Sequence, residues 1–369
     1  MKSFFHPTTS LILLTCCIAS APATAEYVAE AGHSSLQVWV LGKPAEPADN
    51  KSTTARVELG KALFFDPRLS GDGNMSCATC HNPMLGWSDG LPTARGFRGQ
   101  ILDRATPTIL NSAYNHLQMW DGRAASLEEQ ATGPLDAEVE MAINVDDLVL
   151  WLRSEPAYAA AFEAAYPGEP IGADTLSKAI AAFERTIVSR NTPFGRWVAG
   201  DETAMSTSAV SGFQLFVDSE KGNCVVCHSP PNFTDSGFHN VGLSSFNAGQ
   251  GDLGRYHERP LNLMRGAFKT PSLRDVTKTA PYFHDGSALT LREVMQHYVT
   301  AGIDDTNLSP SMKPLDLTDT EISDLVAFLE ALTSPPQAFT LPSLPTATEP
   351  SVAWEIWDPE ESATQIAAK

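Results

Sequence analysis

Basic residues are scarce in this chain: 25 Lys and Arg stand against 44 Asp and Glu, for a formal charge of −19. A surface of that sign disfavours nucleic acid and anionic lipid as partners and draws in a basic protein by steering that weakens with salt. The same acidity also serves plain solubility. Long apolar runs are missing too, and none approaches the roughly 20 residues of a membrane helix. Cysteine is limited to six. Cys16 and Cys17 fall in a segment that reads as a secretory signal, and the other four make two CxxCH motifs, so no thiol is left for a structural disulfide. Strand-like alternation is sparse, which leaves a mainly α fold with long loops and little β.

The signal covers residues 1–25, with Lys2 near the start, an apolar run from Leu11 to Ile18, and Ala23-Thr24-Ala25 as the small-residue cleavage site before Glu26. The alternative is a lipoprotein anchored at the end of that run, against which Thr15 stands as a poor residue before a lipidated cysteine. Cleavage after Ala25 leaves 24 basic and 44 acidic residues, a net −20. The expectation is a periplasmic protein with no membrane span. At 369 residues and 43% hydrophobic content the chain can build two cores.

An extended lead-in is expected over 26–54, where Pro44 and Pro47 break any helical period. A helix is expected from Ala55 to Phe65, ending before Pro67. Gly60-Lys61-Ala62-Leu63-Phe64-Phe65-Asp66 before the first CxxCH is echoed by Gly212-Phe213-Gln214-Leu215-Phe216-Val217-Asp218 before the second, and the echo continues after each motif. That reads as a duplicated domain, 55–195 and 196–335, with a boundary in Asn191 to Ser206. Helical patterns fall on Asp146–Arg153, Ala157–Ala165 and Ala173–Ser189, and a last helix begins at Thr318 with Glu321 as its capping box. The tail, 336–369, looks irregular and exposed.

The two motifs are Cys77-Ala78-Thr79-Cys80-His81 and Cys224-Val225-Val226-Cys227-His228. Two cysteines one helical turn apart can each form a thioether with a haem vinyl group, and the following histidine turns its imidazole to the iron. Two covalently bound haem c groups are therefore expected. A single Cys₄ zinc site is the rival, and the 143 residues between Cys80 and Cys224 count against it. The ligand on the far side of each iron decides between electron carrier and reactive site. For the second haem the residues offer His284, Met295, His297, Tyr298 and Met312, among which spacing alone does not choose.

From Leu63 to Leu332 the chain resembles the bacterial di-haem cytochrome c peroxidases and their MauG-type relatives. The matching stretches include Leu63-Phe64-Phe65-Asp66-Pro67-Arg68-Leu69-Ser70, Trp120-Asp121-Gly122-Arg123-Ala124, Gln130 with Gly133-Pro134, Glu140-Met141, Ser272-Leu273-Arg274 and Thr279-Ala280-Pro281-Tyr282-Phe283-His284. The resemblance implies two cytochrome c-like haem domains, a peroxide-reactive haem on His81 and an electron-relay haem on His228. It places Trp120 between them as a carrier of an electron hole. At the usual distal-histidine position an ungapped count reaches Phe97, which cannot ligate iron, so the first haem is expected open. At the second, the count from His284 reaches Tyr298, where MauG-type proteins supply a tyrosine; a phenolate is a hard anionic donor that favours oxidised iron.

With no distal histidine, Glu140 is the implied proton carrier for hydrogen peroxide and Gln130 its hydrogen-bonding neighbour. The resemblance also implies a calcium ion between the haems, held partly by backbone carbonyls of Thr279 and Pro281. Where the family has an asparagine, this sequence has Ala105, with Asp103 nearby. Three functions follow: a MauG-like enzyme oxidising a protein partner, a peroxidase fed by a small cytochrome, and a non-catalytic electron carrier. MauG itself carries a tryptophan just before the second motif; here the stretch is Lys221-Gly222-Asn223.

Overall fold

The computed structural model describes residues 27–243 and 251–345; the signal segment and the end of the tail lie outside them. Helices dominate: α1 Thr54–Phe65, α2 Cys77–Cys80, α3 Leu127–Asp136, α4 Val145–Ser154, α5 Pro156–Ala165, α6 Ala173–Glu184, α7 Pro193–Val198, α8 Thr207–Val217, α9 Leu291–Val299 and α10 Asp319–Ala331. Among the described residues the only sheet pairs β1 (Phe238–His239) with β2 (Phe268–Lys269), antiparallel. The helix ends follow local chemistry. The Thr53 hydroxyl accepts from Arg56 N to open α1, and Thr318 with Glu321 forms the capping box of α10.

Each half is built on one close helix pair, α1 with α6 and α8 with α10. A Cβ on Gly60 would lie 1.8 Å from the Ala179 carbonyl oxygen, and one on Gly212 would lie 1.9 Å from that of Asp324. These glycines are the echoed positions of the two sequence repeats, and they let the backbones touch. The first core gathers Leu63, Phe64, Leu152, Phe162 and Phe183; the second gathers Phe194, Trp197, Phe213, Phe216 and Phe328.

Past the motifs the duplication is regular. Thr106 and Thr270, Asn111 and Asp275, Trp120 and His284, and Ser126 and Thr290 each stand 164 residues apart. Their local structures match. The Thr106 carbonyl accepts from Ser88 Oγ at 2.9 Å and that of Thr270 from Thr234 Oγ1 at 2.7 Å. Asn111 and Asp275 both take left-handed backbone, at φ 60° and 59°. Ser189 joins the halves, accepting from Asn111 Nδ2 at 2.6 Å and donating to Asp275.

Three segments differ from the sequence expectation. Within the lead-in, residues Ser34–Trp39 form a 3₁₀ helix that buries Leu36 and Trp39 in the second core, with the Trp39 and Phe233 rings 4.5 Å apart. The stretch 191–206 contains α7, whose Phe194 and Trp197 are core residues rather than linker. Helix α6 stops at Glu184, five residues before Ser189, because Thr186, Ile187 and Val188 are β-branched and the chain turns to hydrogen-bond Asn111. Phe339 of the tail returns to the first core, stacked on Phe65 at 5.3 Å. The two ends of the described chain thus brace opposite halves.

Gly212→Ala is expected to lower stability by about 1–3 kcal/mol or more through overpacking of α8 on α10. A thermal melt of the haem-loaded protein followed by circular dichroism reads this, and an unchanged midpoint would show that the contact has room to spare.

Candidate haem centres

One cavity of about 1300 Å³ collects residues of both halves, among them Cys77, Cys80, His81, Cys224, Cys227 and His228. Its volume exceeds the roughly 300–1,000 Å³ of a pocket for a single drug-sized ligand. The first cysteine of each motif packs on the core of its own half, Cys77 on the first and Cys224 on the second. Among the described residues no metal-sized cluster joins the two cysteine pairs, which rules out one shared Cys₄ zinc site. The cluster that does occur, Cys227, Asp235 and His239, uses a sulfur that a haem thioether would take.

The histidine geometry fits haem. His81 Nδ1 lies 3.2 Å from the Trp87 carbonyl oxygen and His228 Nδ1 lies 2.9 Å from that of Phe233. A carbonyl can only accept, so Nδ1 carries the proton and Nε2 keeps the lone pair for a metal. Burial depresses the pKa of both imidazoles and keeps them neutral, the form that ligates. Trp87 and Phe233, at φ 59° and 55°, are held in left-handed backbone to aim those carbonyls.

On the far side the halves diverge. Helices α3 and α9 are equivalents, capped by Ser126 and Thr290 with Glu129 and Glu293 three residues on. The 164-residue offset then sets Pro134 of α3 against Tyr298 of α9. Both line the cavity. Tyr298 is a cavity-wall phenol of the second half, as is Tyr282, and burial raises the Tyr298 pKa. Met295 and Met312 also line the cavity, whereas His297 turns away, its Nε2 2.7 Å from the Val241 carbonyl oxygen. Pro134 has no atom with which to ligate. Phe97 is not among the lining residues; its ring packs beside Gly71, and its backbone N–H reaches the Val139 carbonyl.

Around the first motif the cavity wall carries Gln130, Glu140 and Arg123. Burial raises the pKa of Glu140 above the usual carboxylate value, with Arg123 pulling the other way. Trp120 lines the cavity and is fixed on both sides: its Nε1–H donates to the Ala105 carbonyl at 2.9 Å, and its own carbonyl accepts from Lys269 N at 2.8 Å. Its ring meets His284 edge-on at 6.4 Å, and His284 stacks on Phe268 at 3.6 Å. Burial pushes the His284 pKa down to about 4.

Sequence reasoning missed Arg104. Its Nε and Nη2 donate to Asp252 at 2.6 and 2.9 Å and its Nη1 to Asp121 at 2.7 Å, tying the halves together beside Trp120. Burial works against ionised Asp121, yet Arg104 and Arg123 hold its pKa below the usual value. Asp252 lies 148 residues from Arg104, so no local pattern reveals the pair. Thr279, Pro281 and Asp103 line the same cavity. The calcium donor set fits poorly: Ala105 has no side-chain oxygen, its carbonyl already accepts from Trp120, and Asp103 is exposed.

Two CxxCH sites with buried neutral imidazoles, one in each half, define a di-haem c-type cytochrome. The comparisons agree. The family model described as di-haem cytochrome c peroxidase matches residues 54–203, and that described as cytochrome c matches 209–333. The methylamine utilization protein MauG of Methylorubrum extorquens is 49% identical over 81% of this chain and 84% of its own, and that of Methylophilus methylotrophus is 44% identical over 81% and 88%. A solved MauG-like protein associated with microbial copper homeostasis superposes with a TM-score of 0.74 at 30% identity, covering 80% of this chain and 93% of that one. This chain belongs to the di-haem cytochrome c peroxidase and MauG family. It is a haem oxidoreductase of the peroxidase type that carries two haem c groups and reacts with peroxide. Among the described residues no helix is long and apolar enough to cross a membrane.

Glu140→Gln is expected to slow the reaction with peroxide by about 10²–10⁴-fold. Glu140 must be ionised to accept the peroxide proton, so the wild-type rate falls as pH drops through its raised pKa, and the Gln variant loses that limb. Stopped-flow absorbance reads both; a wild-type rate in the variant contradicts the role.

Proposed function

We propose that this chain works in the periplasm as a MauG-like oxidoreductase: peroxide reacts at the His81 haem, and the oxidising equivalents pass through Trp120 to the His228 haem and on to a partner protein. The observation that carries this reading is the pairing of Pro134 with Tyr298 at equivalent places on α3 and α9. His81 would hold a haem beside Pro134, which has no ligating atom, and His228 would hold one beside the Tyr298 phenol, an oxygen donor that would favour the oxidised state. When bound, the haems supply the site for peroxide and the reservoir for two oxidising equivalents.

The chain's own residues set the proton chemistry. The half-buried Glu140 carboxylate takes the proton from the near oxygen of peroxide and returns it to the departing oxygen, which leaves as water. The Gln130 amide donates to the oxygen that remains, and Arg123, held by Asp121 at 2.9 Å, keeps positive charge at the same wall. Pro134 and Ala131 keep the space apolar. Trp120, pinned through its indole nitrogen, is the aromatic bridge between halves.

The relatives named for methylamine utilization support the chemistry more than the partner. Ahead of the second motif this chain has Gly222 and Asn223, so no aromatic leads outward there. A basic protein partner suits the acidic surface. The second reading, peroxide removal with electrons from a small cytochrome, is favoured by Met295 and Met312 on the cavity wall, since a thioether ligand would raise the potential of the second haem.

Adding peroxide to the fully ferric protein with no donor distinguishes them. The proposal expects immediate reaction and a long-lived state in which both haem spectra change together. Reaction only after half-reduction by a cytochrome contradicts it. Trp120→Phe is expected to leave the first haem reactive while the change at the second haem is slowed or lost; an undiminished change at both haems means that the electrons take another route.

A further inference from the structure

Lys269 is buried, at 8% exposure, and it lines the cavity. Among the described residues its ammonium has no carboxylate and no hydrogen-bond acceptor. Desolvation alone pushes its pKa, down to about 8. A buried cation is costly unless something pairs with it.

No ion pair joins it to a described acid of the cavity wall: Asp121 and Asp252 are occupied by Arg104, and Glu140 and Glu184 lie toward Cys80 and Cys77 of the other half. Two other cations of this region are engaged, Arg123 by Asp121 and Arg255 by the carbonyls of Asp121 and Gly122. A buried lysine on the wall of a large, mostly apolar cavity asks for an anion carried on a flat apolar body. Haem has that form, with carboxylates on one edge.

The backbone shows which haem. Two residues after Lys269, the Pro271 main chain lies against the His228 ring, and the intervening Thr270 carbonyl accepts from Thr234 Oγ1 at 2.7 Å. Lys269 therefore belongs to the second centre. Its counterpart 164 residues earlier is Ala105, which carries no charge.

We propose that Lys269 binds a propionate carboxylate of the haem held by His228, giving that centre a fixed positive charge that its duplicate lacks. The claim rests on the two haems and not on which partner the enzyme serves. Neutralising a carboxylate beside the haem favours its reduced state, so Lys269 offsets part of the pull that the Tyr298 oxygen exerts toward the oxidised state. The backbone bond from Lys269 N to the Trp120 carbonyl then fixes the haem edge relative to the bridging indole.

Spectroelectrochemical titration of the haem-loaded protein tests this, with Lys269→Met removing the charge and Lys269→Arg keeping it. In the Met variant the reduced-to-oxidised ratio of the His228 haem at a fixed potential is expected to fall about tenfold, equal to about 59 mV for one electron. The Arg variant should stay within about threefold of wild type, a fraction of that shift. An unchanged potential in a fully loaded Met variant overturns it. So does loss of the haem from both variants, because the site would then need the shape of lysine and not its charge.

Discussion

A buried imidazole whose Nδ1 proton is committed to a main-chain carbonyl has only Nε2 to give a metal, and this chain makes that commitment at both His81 and His228. The accepting carbonyls belong to Trp87 and Phe233, each in strained left-handed backbone, and both aromatic rings are buried in their own cores. Core, carbonyl, imidazole and cavity form one chain of dependence. The helix pairs that meet at Gly60 and Gly212 exist to hold those cores in place.

Function comes from where the duplication is broken. Over a constant spacing the same frame carries Pro134 or Tyr298, Trp120 or His284, and Ala105 or Lys269. Each substitution changes the side chain that the frame presents: a proline or a phenol, an indole or an imidazole stacked on Phe268, a methyl group or a cation. Arg104 keeps the two centres in register by binding Asp121 from one half and Asp252 from the other.

Much of this could be read from residues alone, wherever the signal was local. Thr318 with Glu321 announced α10, and the CxxCH motifs announced their cofactor. Helix α3 did not announce itself, because Gly133 and Pro134 look like an ending although Ser126 caps a helix that runs through them. Trp39 reads as part of an extended lead-in because nothing in its neighbourhood shows that its partners are Phe233 and Phe194. The Arg104 clamp and the isolation of Lys269 depend on residues far apart in sequence. Counting forward from the first motif reaches Phe97, and the 164-residue offset of the repeats makes Pro134 the counterpart of Tyr298.

The central claim is that one centre is open and the other closed in the resting protein. Low-temperature electron paramagnetic resonance of the ferric enzyme reads that directly. The account predicts one high-spin and one low-spin haem in equal amounts, with the low-spin signal lost in Tyr298→Phe. Two low-spin haems in the resting wild-type protein would contradict it.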